Sequence, residues 1–162
     1  YHPVTLNLQK DKEDLIIILD ALSELGEDVG ILITKSNADN GGRTINKEID
    51  KFATKNKNAK SYDALGQFLY YNCLNNFDCV VGNSSSGLYE VPSFKKSTVN
   101  IGDRQKGRIR AKSVIDCKVD KKDIIKSINN AIKMDCNNVN NPYGDGKSSE
   151  KILEACLEFL NK

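Results

Sequence analysis

The stretch that most restricts what this chain can fold into runs from Cys79 to Glu90, Cys-Val-Val-Gly-Asn-Ser-Ser-Ser-Gly-Leu-Tyr-Glu. Cys79, Val80 and Val81 form an apolar run too short for a helix and suited to a strand covered on both faces. Gly82 and Gly87 bracket four small polar residues, and an apolar helical start follows. Such a turn aims the first amides of the following helix at whatever lies in front of them. Those amides, with two or three serine hydroxyls, make an anion site suited to phosphate. Asn83 to Ser86 acting only as a helix cap is the duller reading.

The rest of the chain repeats the strand–helix alternation. A strand end is expected at Tyr1–Thr5 and a helix from a cap at Asp11 to Leu25. There Leu15, Ile18, Leu19 and Leu22 share one face, and Gly26 is the stop. A strand over 29–34, a polar loop over 35–42, a helix over 43–55 and a short strand with its loop over 60–65 come next. A helix over 67–75 leads to the strand at Cys79, and the helix after the serine turn is expected to reach Phe94. Strands at 98–101 and 113–117 flank a charged loop, and Asp120 starts an amphipathic helix. The last helix, 148–161, is expected to bury Ile152, Cys156, Phe159 and Leu160. The alternation predicts one α/β domain over 1–162, a doubly wound parallel sheet whose ligands bind beyond the carboxyl ends of the strands.

Length and charge narrow the class further. The 162 residues suffice for a core without staples, and the net charge is +2 from 24 basic and 22 acidic side chains. No basic block points to nucleic acid, and no apolar run points to a membrane. The five cysteines are an odd number without a C-x-x-C pair; they read as reduced, largely buried residues of a cytoplasmic protein. No metal-ligand spacing, P-loop or G-x-G-x-x-G after a strand is present, so neither a metal nor a resident cofactor is expected. The absence of an initiating methionine and the strand end at Tyr1 suggest a piece of a longer protein.

The candidate site gathers at one sheet edge: His2, Asn37, Ser84 with Ser85, and Arg104 each follow a predicted strand. Serine hydroxyls suit a phosphate, and the planar fork of Arg104 suits another phosphate oxygen. Glu90, one to two turns beyond the serines, can accept two sugar hydroxyls, as acidic residues do for ribose. Asn37 can both donate to and accept from a base edge. A nucleoside diphosphate fits this set better than phosphate alone. Singly, Glu90 and Arg104 read as exposed charges, Asn37 as a turn residue and His2 as a terminal one. A Ser-His-Asp triad lacks its G-x-S-x-G elbow.

The runs His2-Pro3-Val4-Thr5, Val81 to Glu90, Val99 to Arg108 and Asn141 to Lys147 together resemble the hydrolysing UDP-N-acetylglucosamine 2-epimerases. The resemblance implies the Rossmann-like carboxyl-terminal domain of a glycosyltransferase-B type fold, bound to UDP or a UDP-sugar. It implies that Ser84 and Ser85 hold the diphosphate, Glu90 the ribose and Arg104 a phosphate. Asn37 would lie near the uracil, Ala64 and Leu65 would wall it, and His2 would face the diphosphate and the reaction centre. Non-hydrolysing relatives carry an Asp-Ser-Gly-Gly turn where this chain has Asn83 to Ser86. The implied reaction is elimination of UDP to a glycal, then hydration to N-acetylmannosamine or a relative, as in sialic-acid-type biosynthesis. The proton-moving carboxylates of the family belong to an amino-terminal domain, so the expected partner is that domain and this piece alone is expected to be inactive. The final helix is expected to cross back onto that domain, and a homo-oligomer of the longer protein stays open. A stand-alone UDP-binding module, a non-hydrolysing epimerase and the donor half of a glycosyltransferase are the competing readings.

Overall fold

The computed structural model describes residues 1–4, 8–36 and 42–160. The elements in chain order are α1 (Leu8–Ser23), β1 (Ile31–Thr34), α2 (Gly42–Lys55), β2 (Ala59–Tyr62) and α3 (Gly66–Asn76). Next come β3 (Cys79–Gly82), α4 (Ser86–Tyr89), a 3-10 turn (Val91–Phe94), β4 (Ser97–Ile101) and β5 (Val114–Cys117). Two helices, α5 (Lys121–Ile132) and α6 (Ser148–Leu160), complete the described chain.

All strand pairing is parallel, as the alternation predicts, but the ladder lies in two parts. β1 pairs with β2, with Ile31 beside Ala59, and β3–β4–β5 form a second sheet with Val81 beside Val99 and Val99 beside Ile115. α1 sits across the boundary. Its Leu15 and Leu19 pack with Ile45, Ile49 and Phe52 of α2, while Ile18 and Ala21 pack with Val99, Ile101 and the α5 residues Ile124 and Ile128. Spacings of three and four put both pairs on the inward side of one helix.

α5 follows its sequence signals. Asp120 accepts the amide of Asp123 at 2.9 Å, and the stripe Ile124, Ile128 and Ala131 is buried.

Several expectations need correction. Residues 1–4 form no strand, since no described strand lies beside them to complete a ladder. Asp11 lies inside the first turn of α1, where its buried carboxylate accepts the Val4 amide at 3.0 Å. The helix after the serine turn does not run to Phe94. It ends at Tyr89 and gives way to the 3-10 turn, because Pro92 lacks the amide that would close the next α-turn. Nothing in α6 is buried, so the stripe Ile152, Cys156, Phe159 and Leu160 faces outward. Cys156 is thus exposed; Cys117 and Cys136 are buried, Cys73 and Cys79 are half-buried, and all five thiols are free. Burial pushes the Cys79 and Cys117 thiols up to about 11, which keeps them protonated and unreactive at neutral pH.

Candidate functional site

β3 ends at Gly82, whose φ of 149° is closed to most side chains, and delivers Asn83 to the sheet edge. Asn83 is fully buried and is the hub of the site. Its side-chain oxygen accepts the His2 amide at 2.8 Å, and its amide nitrogen donates to the His2 carbonyl at 2.8 Å. That carboxamide therefore binds the His2 backbone as a neighbouring peptide would. Its own main-chain carbonyl accepts Arg104 Nη1 at 3.0 Å and Gln105 Nε2 at 2.7 Å. One residue thus joins three of the sequence runs singled out above.

The fourth run braces the same structure. Arg108 donates to Gln105 Oε1 at 2.6 Å and lies over the Tyr89 ring, 5.3 Å from its centroid. Tyr143 meets Tyr89 edge-on at 4.3 Å and donates its hydroxyl to the Ile109 carbonyl at 2.9 Å. Asn141 donates to the Tyr89 carbonyl and to Ser93 Oγ, each at 2.7 Å. These contacts clamp the charged loop over 102–111 against α4.

Gly87 lets α4 lie against β4. A Cβ there would stand 2.6 Å from Thr98 Cγ2, while the Thr98 hydroxyl donates to the Gly87 carbonyl at 2.8 Å. On the other side α3 supplies two tyrosines. The Tyr70 hydroxyl and Ser86 Oγ are hydrogen-bonded, and Tyr71 donates to Glu90 Oε1 at 3.1 Å. Burial raises the Tyr70 pKa, more than the Ser86 bond lowers it, so Tyr70 stays a neutral phenol.

Past the end of β1, Ser36 is held as His2 is. Asn46 of α2 accepts the Ser36 amide at 2.9 Å and donates to its carbonyl at 3.2 Å, and Ser36 Oγ reaches His2 Nδ1 at 3.5 Å. Lys35 forms ion pairs with Asp63 at 2.8 Å and Asp50 at 3.0 Å, and its pKa is raised by those hydrogen bonds, the Asp63 one first.

A cavity of about 690 Å³ opens at this edge. Of the candidate residues, His2, Ala64, Leu65, Ser84 and Glu90 line it. Arg104 joins through Asn83, whereas Ser85 does not line it and instead gives its carbonyl to the Leu88 and Tyr89 amides. Ser84 Oγ accepts the Ser86 amide at 3.4 Å. Asn37 lies outside the described residues. Because α4 has a single turn, an anion at this edge would meet the Arg104 guanidinium and the serine hydroxyls more than a helix dipole. Sequence reasoning missed Asn83 and Gln105 as the joints of the site, and Tyr71 as the partner of Glu90; a polar residue directly after a buried strand was the only local signal for the first.

Known proteins share this chain's sequence and fold. Residues 1–157 match the family described as UDP-N-acetylglucosamine 2-epimerase. The chain belongs to that family. It is 37% identical over 164 residues to the hydrolysing GDP/UDP-N,N'-diacetylbacillosamine 2-epimerase of Campylobacter jejuni, covering 99% of this chain and 42% of that protein. It is 32% identical to the hydrolysing UDP-N,N'-diacetylbacillosamine 2-epimerase of Legionella pneumophila, covering 95% and 40%. The chain therefore spans about two fifths of the length of these relatives. The UDP-GlcNAc 2-epimerase of Methanocaldococcus jannaschii, solved with UDP-GlcNAc and UDP, superposes with a TM-score of 0.73 at 22% identity, over 91% of this chain and 41% of that one. That likeness shows a shared α/β architecture. Among the described residues no helix is long and apolar enough to cross a membrane.

Proposed function

We propose that this chain is the UDP-binding, carboxyl-terminal half of a hydrolysing UDP-sugar 2-epimerase. The observation that carries the reading is the Asn83 junction. It ties His2, the serine turn and Arg104 together beside a cavity that Ser84 and Glu90 also line. The two hydrolysing relatives favour a nucleotide-linked N,N'-diacetyl amino sugar as substrate, and the family description favours a UDP-linked N-acetyl one.

In this reading Ser84, Ser85 and Arg104 receive the diphosphate, Glu90 the ribose hydroxyls, and Asn37, Ala64 and Leu65 the uracil. Arg104 is held by one amino group on the Asn83 carbonyl, which aims the guanidinium without neutralising it. Tyr71 fixes one oxygen of Glu90 and leaves the other for the sugar. The reaction is breakage of the C1–O bond with loss of a C2 proton, giving a glycal and UDP, followed by addition of water. Fixed positive charge and donors at the leaving diphosphate are what this half contributes. His2 stands between the diphosphate and the reacting carbons. The proton-moving carboxylates and the surface that receives α6 belong to an amino-terminal domain of the longer protein.

Calorimetric titration of UDP into the 162-residue chain tests the reading. Binding is expected, with Arg104→Ala weakening UDP by at least ~10-fold and uridine little. No heat and no melting shift up to millimolar UDP would reject the site, and equal losses for UDP and uridine would take Arg104 off the phosphate.

A further inference from the structure

α4 is a single turn, Ser86–Tyr89, with Gly87 at its second position. One turn closes too few hydrogen bonds to hold its own shape, and a glycine loosens it further. Glu90 follows directly, its amide on the Ser86 carbonyl at 2.9 Å, and Pro92 ends the α-helical bonding beyond it. The segment from Ser84 to Glu90 therefore takes its side-chain geometry from its neighbours. β4 fixes the backbone, through the Thr98 hydroxyl on the Gly87 carbonyl. α3 fixes the side chains on the cavity side.

Tyr70 and Tyr71 are consecutive in α3, yet their hydroxyls land one helical turn apart, Tyr70 on Ser86 Oγ and Tyr71 on Glu90 Oε1. Ser86 and Glu90 are spaced i, i+4 and share a face. All four residues line the cavity. Tyr71 stands between two partners. Its oxygen accepts Gln67 Nε2 at 3.3 Å, which leaves its one hydrogen for Glu90 at 3.1 Å. The ring lies tilted against Phe94, 5.1 Å between centroids, and against Tyr70 at 6.0 Å, so the phenol reaches Glu90 from a fixed direction. A carboxylate offers about four acceptor sites, and a neutral phenol on one oxygen leaves the other oxygen to hydroxyl donors.

Tyr70 acts on the other end of the segment. It occupies Ser86 Oγ, and the Ser86 amide goes to Ser84 Oγ at 3.4 Å. Ser86 thus links the phenol to the serine that follows Asn83. Burial is the main reason that Tyr70 stays a neutral phenol, so it brings no negative charge toward a diphosphate.

We propose that Tyr71 and Tyr70 are positioning residues that divide the nucleotide between them. Tyr71 orients Glu90 and thereby sets a preference for ribose over 2′-deoxyribose. Tyr70 acts through Ser86 on Ser84 and thereby serves the diphosphate. The inference rests on the placement of ribose and diphosphate proposed above, and adds the residues that decide sugar selectivity. A ligand without the 2′-hydroxyl leaves the presented oxygen of Glu90 without its donor, and a site built to bond a hydroxyl rejects the analogue that lacks it. That rejection needs a carboxylate held in one orientation, which the Gln67–Tyr71–Glu90 relay supplies.

Calorimetric titration of UDP, 2′-deoxy-UDP and uridine into the 162-residue chain and its Tyr71→Phe and Tyr70→Phe variants tests this. The unaltered chain should bind UDP at least ~10-fold more tightly than 2′-deoxy-UDP. Tyr71→Phe keeps the ring against Phe94 and lets Glu90 turn. It should weaken UDP and uridine by ~5-fold and 2′-deoxy-UDP by less than ~2-fold, so the preference shrinks. Tyr70→Phe should weaken UDP by ~5-fold, spare uridine and keep the preference. Glu90→Ala gives a second reading: it should abolish the preference, and adding Tyr71→Phe should lower it no further, because the two act as a unit. Equal weakening of UDP and 2′-deoxy-UDP by Tyr71→Phe would make Tyr71 a packing residue only. Additive losses in the double variant would separate it from Glu90, and loss of the preference in Tyr70→Phe would undo the division. An unaltered chain that binds UDP and 2′-deoxy-UDP equally would take Glu90 off the ribose. Each of these results overturns the proposal while UDP binding stands; no UDP binding at all rejects the nucleotide reading itself, and this inference with it.

Discussion

β1, Ile-Leu-Ile-Thr, is the more apolar strand and β4, Ser-Thr-Val-Asn-Ile, the more polar, yet their burial runs the other way. Every residue of β4 is buried, whereas no residue of β1 is fully buried. The difference lies in neighbours: β4 is paired on both sides and covered by α5 and α4, while β1 is paired on one. The candidate site straddles the border between these halves. Asn83, Ser84 and Arg104 stand on the well-packed side, and Ser36 and Leu65 on the looser one. The Asn83–Arg104 end of the site is therefore built in advance, and the opposite wall is held chiefly by Asn46 and the Lys35 ion pairs.

The joint between the halves is the place to break this contrast. Asn83→Leu strands the amide and carbonyl of His2, at about 1–3 kcal/mol for each buried group left unpaired, so a loss of ~3 kcal/mol is expected in urea unfolding. A loss below ~1 kcal/mol would mean that His2 is held by something other than Asn83.

Core truncations compare the halves directly. Ile101→Ala removes a side chain that is 1% exposed and should cost ~3 kcal/mol, near the middle of the range for such changes. Ile33→Ala, at a half-buried position of β1, should cost ~1 kcal/mol. Equal costs in chemical denaturation would erase the distinction between the sheets.

What the sequence made legible follows the same border. Elements whose signals are local were readable: α5 from its Asp120 cap and its Ile124–Ile128 stripe, and the β3 strand from three apolar residues before a glycine. The four sequence runs that carried the resemblance do meet in space. The bonds that join them link residues far apart in sequence, such as Asn83 with His2 and Asn141 with Tyr89, and no local periodicity encodes such pairs. The break at Glu90 was signalled by Pro92, but the apolar residues Val91 and Phe94 on either side concealed it. The divided sheet could not be read from strand number or spacing, since β1 and β3, the strands at the division, are both short apolar runs of the kind a buried parallel strand has.

The Tyr1 amine gives a prediction of nearly the same size as the core truncation. Its pKa falls from 8.0 unfolded to about 6 folded, because burial and the Arg104 charge disfavour the ammonium. Between these values the unfolded chain binds more protons, so stability climbs as pH rises from 6 to 8, by on the order of 2–3 kcal/mol. Below pH 6 both states carry the proton and the full cost remains. Acetylating the Tyr1 amine should flatten this slope, which separates it from any titration of His2; a slope that survives acetylation would place the titrating group elsewhere.

The smallest effect on stability is expected in α6, which is helical by its own sequence yet has no buried residue among those described. Phe159 is 79% exposed and Leu153 59%. Phe159→Gln and Leu153→Gln should each move the unfolding free energy by less than ~0.5 kcal/mol, because no buried area is lost. They should instead reduce self-association in sedimentation, since an exposed apolar stripe seeks a partner. The pair also carries the comparison beyond this chain. If α6 packs on an amino-terminal domain, the same substitutions in the longer protein should cost ~2 kcal/mol or more through lost burial. Equal, negligible costs in both lengths would leave the stripe without a partner inside the protein and put the self-association contact in its place.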